Sequence, residues 1–86
     1  YFGGRTWRMQ FGAFANLNGA SQLVSELQGA GWQADWQPHR DQGRLWYIVR
    51  GGQYATYLEA SKDLNRAQAT YPKAMLAAVA LPKLKR

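Results

Sequence analysis

Residues 7–31 can be laid on residues 47–71 at a constant offset of forty. Trp7 falls on Tyr47, Met9 on Val49, Gly12 on Gly52, Phe14 on Tyr54, Ala15 on Ala55, Ala20 on Ala60 and Val24 on Leu64. Each match keeps size and character, so the chain is one structural unit followed by a copy of it. The first copy shows what the unit is. Trp7 to Phe11 alternates apolar and polar residues, the pattern of a half-buried strand with Trp7, Met9 and Phe11 on one face and Arg8 and Gln10 on the other. From Asn16 to Gln28, Leu17, Ala20, Leu23, Val24 and Leu27 recur at helical spacing, with Asn16 or Asn18 able to cap the start and Gly29 or Gly31 the end. Trp32–Gln37 alternates again with Trp32, Ala34 and Trp36 on one face, and the polar segment Pro38–Gly43 is expected to be the loop of a hairpin.

The second copy starts with Leu45–Val49, a continuous apolar run rich in aromatic and β-branched residues. Alternation alone cannot assign its two faces, but the repeat can, because its offset is even. Tyr47 and Val49 then face inward, while Trp46, Ile48 and Arg50 join Arg8 and Gln10 on the other face. A second helix fits Tyr57–Gln68, capped by Thr56, with Leu58, Ala60, Leu64 and Ala67 inward. Strand, helix, strand twice over is an α+β fold of the ferredoxin-like or RNP-like split βαβ type, β-α-β-β-α-β. Its four-stranded antiparallel sheet carries two helices on one face and leaves the other open. The fourth strand is expected after Pro72, around Lys73–Ala77, but Ala-Met-Leu-Ala-Ala prefers helix. A short extended piece followed by a helical turn is therefore expected there.

Composition narrows the chemistry. At 86 residues the chain is one small domain, and an apolar fraction of 47% gives it a core to fold around. It contains no cysteine, which removes disulfides, thiol nucleophiles and cysteine metal sites. His39 is the single histidine, flanked by Arg40 and Asp41, and reads as a solvated loop residue rather than a metal ligand. No cofactor is expected. The nine glycines never take a phosphate-loop spacing and read as turn residues. The longest apolar run, Ala74–Pro82, is far too short to span a membrane. The chain opens on Tyr1 without a signal segment and is expected to be a domain of a longer protein: residues 1–5 as an extension, 6–80 as the domain, 81–86 as a basic tail.

Three stretches in order carry a family resemblance. Trp7–Phe14 (W-R-M-Q-F-G-A-F), the spacing onward through Ala20 and Leu27 to Gly31-Trp32, and Leu45–Ala55 (L-W-Y-I-V-R-G-G-Q-Y-A) together resemble the SPOR domain, a peptidoglycan-binding module of bacterial cell-division and cell-wall proteins. The Trp46-Tyr47 pair resembles most its DamX-like branch. The resemblance implies recognition, by the open sheet face, of septal glycan strands stripped of their stem peptides. It implies a place in the periplasm or cell envelope at the septum, within a longer membrane-anchored protein that brings other division proteins as partners. Position by position, Gln10 matches the family's binding glutamine and Trp46 its binding aromatic. Ile48 stands where some members have Arg, and Ala13 where many have Ser. These two departures remove a hydroxyl contact and shift any charged contact to Arg50 or Arg8.

The residues themselves leave alternatives. An open-face Trp suits a pyranose, stacking on its C–H face with one N–H for a hydroxyl, and equally suits cross-strand packing. Gln10 can donate and accept at once, as sugar hydroxyls and acetamido groups require. Arg8 and Arg50 match the lactyl carboxylate freed when a stem peptide leaves, or are two solvated arginines. A single-stranded RNA module of the same fold is the main rival, but the third strand lacks the basic-glycine-aromatic pattern of such modules. A glycosidase needs two facing carboxylates, and of the five acids Asp35 alone is expected near the open face. No catalytic residue is assigned. An open sheet face also accommodates a peptide, so a protein-interaction module stays open. The net charge of +6 invites nucleic acid, yet residues 1–72 hold seven basic residues against all five acids. The other four are Lys73, Lys83, Lys85 and Arg86, so nucleic acid is not an expected partner.

Overall fold

The structure, a computed structural model, describes residues 5–80. Six elements follow in order: β1 (Arg5–Phe14), α1 (Leu17–Gly29), β2 (Ala34–Asp41), β3 (Arg44–Tyr54), α2 (Tyr57–Gln68) and β4 (Met75–Ala80). The strands form one antiparallel sheet in the order β2-β3-β1-β4. Ala20 and Leu27 of α1 and Ala67 of α2 pack with Met9, Phe11, Ala34, Val49 and Ala74 into one core between the sheet and the two helices. This is the expected split βαβ architecture.

The forty-residue offset governs atomic detail. The helices start at Leu17 and Tyr57, and each is capped by a polar side chain: Asn16 accepts from the Asn18 N–H at 2.7 Å, Thr56 from the Glu59 N–H at 3.2 Å. Ala20 and Ala60 are both fully buried. At the helix ends, Gln28 Nε2 donates to the Ala34 carbonyl at 3.0 Å and Gln68 Nε2 to the Ala74 carbonyl at 2.9 Å. The repeat therefore extends beyond the segment that side-chain matching aligns, into the first residues of β2 and β4.

Each central strand carries a bulge. Between the Gln10–Arg50 and Gly12–Val49 pairs β1 has an extra residue, Phe11, and between the Met9–Gly51 and Trp7–Tyr54 pairs the extra residue lies on β3. The first bulge shifts the alternation: Phe11 enters the core, Gly12 pairs with buried Val49, and Ala13 comes to the open face opposite Ile48. The second needs Gly52, whose φ is +70° and where a Cβ would lie 2.6 Å from the Tyr54 ring.

Four expectations are corrected. First, β2 continues through Pro38 to Asp41, and the hairpin closes on Gln42-Gly43 alone, with φ of 51° and 78°. Two positive φ angles match the twist of the flanking strands, and Pro38 is tolerated because β2 is an edge. His39 is accordingly a strand residue. Second, Leu58 is 65% exposed rather than inward, because two residues before Ala60, at about 100° each, put it on the opposite side of the helix. Third, Leu17 begins α1 at the margin of its apolar stripe and stays partly exposed. Fourth, Pro72-Lys73 is a turn and Met75–Ala80 is strand throughout. Six consecutive pairs with β1, from Gln10–Met75 to Arg5–Ala80, outweigh the helix preference of the segment. Any helical turn after Ala80 lies outside the described residues.

Candidate functional site

The face of the sheet away from the helices is built in cross-strand rows. His39 is opposite Trp46; Gln37, Ile48 and Ala13 form the next row; Asp35, Arg50, Gln10 and Met75 the third; Arg8 is opposite Ala77. All six residues singled out in the sequence, Arg8, Gln10, Ala13, Trp46, Ile48 and Arg50, thus come to one face. Ile48, in the middle row, is only 9% exposed and makes an apolar floor. Trp46 is half-buried, with the Arg44 guanidinium 5.7 Å from its ring centre.

The two inward-row arginines differ. Arg8 is largely enclosed: its Nε donates to the Gly52 carbonyl at 2.7 Å and its Nη1 to Asp35 Oδ1 at 3.1 Å. The β3 bulge supplies that carbonyl and the edge strand β2 the carboxylate, so the Arg8 charge is balanced inside the fold. Arg50 Nε is buried without a hydrogen-bond partner among the described residues. A buried donor left so costs about 1–3 kcal/mol. Unlike Arg8, Arg50 makes no ion pair among the described residues.

Three other acids are occupied elsewhere. Asp63 accepts from Tyr54 Oη and Arg66, Glu26 from Tyr71 Oη, and Glu59 joins the Thr56 cap. Burial, with the Asp63 carboxylate beside it, pushes the Tyr54 hydroxyl well above the usual tyrosine range. Among the described residues no cluster of three metal-binding side chains occurs, and no helix is long and apolar enough to cross a membrane.

Residues 3–78 match the SPOR domain family. The chain belongs to the SPOR domain family. Its backbone is also similar to the solution structure of the peptidoglycan binding domain of the B. subtilis cell wall lytic enzyme CwlC, with a TM-score of 0.58 and 18% identity over 95% of this chain and 94% of that one. At that identity the likeness speaks for the fold. A search of curated proteins returned no match.

Two open-face residues of this SPOR domain escape a reading of its sequence. Met75, 54% exposed beside Gln10, escapes because nothing local gives β4 its alternation. The repeat would have found it, since Met75 lies forty residues after Asp35, which shares its row. His39 escapes because its polar neighbours resemble a loop.

Proposed function

We propose that this domain is a non-catalytic peptidoglycan-binding module that recognises septal glycan strands lacking stem peptides through its open sheet face. One observation carries the reading: the face left bare by the helices gathers a half-buried aromatic, a carboxamide, an apolar floor and a guanidinium, Arg50, that makes no ion pair among the described residues, in adjoining rows. Trp46 stacks on the C–H face of a pyranose. Gln10 exchanges hydrogen bonds with an acetamido group or hydroxyl. Arg50 takes the lactyl carboxylate that loss of a stem peptide uncovers, with Arg8 as a weaker contributor because Asp35 already holds it. Ile48 and Ala13 contribute apolar contact where other members use a charge and a hydroxyl. Family membership and the peptidoglycan-binding role of the CwlC domain support this assignment.

Residues 6–80 are the functional unit, flanked by 1–5 and the basic 81–86. The Trp46-Tyr47 pair argues for the DamX-like branch. In this reading the module works in the periplasm, bringing a longer, membrane-anchored parent and its division partners to the septum.

Co-sedimentation with purified sacculi tests it. Binding is expected to rise after amidase removes the stem peptides, and Trp46→Ala is expected to weaken it about tenfold or more, about 1.4 kcal/mol. A correctly folded Trp46→Ala domain that sediments like the parent would sink the proposed face.

A further inference from the structure

At the end of the sheet opposite Trp46, a concave feature opens where the connection from α1 to β2 crosses the β3 bulge. The Gly52 N–H donates to the Gln33 carbonyl at 2.8 Å and fixes this crossing. The cleft measures about 470 Å³, within the range of small-ligand sites, and is walled by Arg8, Gln28, Trp32, Gln33, Asp35 and Gln53. Three of these are carboxamides, each able to donate and accept. Trp32 adds an aromatic wall, held in place by the Arg66 guanidinium 4.6 Å from its ring centre. The two charged residues are paired with each other at 3.1 Å. A wall of amides, one indole and an internally neutralised ion pair favours an uncharged, hydroxyl- and amide-bearing ligand over an anion.

The cleft is not isolated from the face already described. Arg8 and Asp35 belong to both, and from Trp46 to Gln53 the way along β3 is roughly 20 Å at about 3.3 Å per residue with one bulge. That span suits a chain of several sugar rings rather than one disaccharide. We propose that the cleft is a second subsite, taking an N-acetylated sugar ring of the same strand that Trp46 engages, so that the domain reads an extended glycan. This rests on the peptidoglycan reading above. Two subsites on one ligand reinforce each other through effective concentration, so affinity should depend on chain length.

The test uses the 86-residue chain, titrated with a peptide-free disaccharide and a peptide-free octasaccharide. Gln33→Ala with Gln53→Ala is the informative variant, because both residues are exposed, whereas Gln28 holds the Ala34 carbonyl. The octasaccharide is expected to bind the parent at least about tenfold tighter than the disaccharide, and the double variant to lose most of that gain while keeping disaccharide affinity. At saturation with octasaccharide the Trp32 indole and Gln53 amide resonances should shift. If the variant binds both ligands like the parent, or those resonances stay put while octasaccharide is bound, the cleft is not a subsite and the Trp46 face stands alone. If the parent binds neither ligand, the peptidoglycan reading itself falls.

Discussion

A methyl group on residue 52 would meet two ring carbons and the hydroxyl oxygen of Tyr54 within 2.9 Å, and that side chain cannot swing away because its hydroxyl is bonded to Asp63. On residue 12 the same methyl would meet Phe14 at 3.3 Å, a contact that a small ring shift relieves. Residue 52 also has positive φ, which an L side chain resists by about 1–2 kcal/mol. Gly52→Ala is therefore expected to cost about 2–4 kcal/mol once overpacking is added, and Gly12→Ala about 1 kcal/mol or less. Urea denaturation of the two variants checks this, and equal losses would contradict it. The pairing of Gly12 with Gly52 and of Phe14 with Tyr54 is legible in the sequence. What each glycine does is not, because a bulge is a property of two strands in register and one strand's residues do not announce it. For the same reason the outward turn of Ala13 is visible only once Ile48 is set opposite it.

Among the elements, β4 shows where local preference loses. Ala74–Ala78 favours a helix on propensity, but the strand's partner, β1, lies far away in sequence and leaves no local mark. A local device does mark its entry: Gln68, the last residue of α2, reaches forward to the Ala74 carbonyl, as Gln28 reaches Ala34 in the first half. Gln68→Ala is expected to cost about 1 kcal/mol, leaving a partly buried carbonyl unmet. Hydrogen exchange should speed up in β4 more than in β2 and β3, since β4 is the edge strand whose entry this bond holds and it pairs with β1 alone. Uniform acceleration across the sheet would show that the bond supports the whole fold instead. The helices themselves were readable to within a residue, α2 and its Thr56 cap included, because capping and apolar spacing are local signals. The hairpin is not legible at the same level: Pro38, His39 and Arg40 are polar or turn-forming, yet an exposed edge strand needs no apolar alternation.

For the molecule as a whole, the charge that suggested nucleic acid is divided. Four of the six excess positive charges come from Lys73, Lys83, Lys85 and Arg86, and on the open face Asp35 offsets Arg8. Glycan binding through that face should accordingly lose less than about threefold in affinity between about 50 and 300 mM salt, unlike a polyphosphate partner that releases many counterions. A decline of tenfold or more over that range would return nucleic acid to consideration. The fold class and the placing of Arg8, Gln10, Trp46, Ile48 and Arg50 on the open face are accessible from the repeat, while His39, the bulge that turns Ala13 outward and the cleft at the far end are not. That cleft depends on where a connection crosses a bulge, which no spacing encodes.

The pairing of Arg5 with Ala80 has a mechanical consequence. Polypeptide joined to either side of the domain leaves from neighbouring strands at one end of the sheet, the end away from Trp46. A load applied between the two exits would open the β1–β4 ladder one rung at a time, as a zipper opens, rather than sliding all its rungs at once. A load between one exit and an anchored sugar strand would instead run lengthwise through the central strands, the direction in which a sheet yields least.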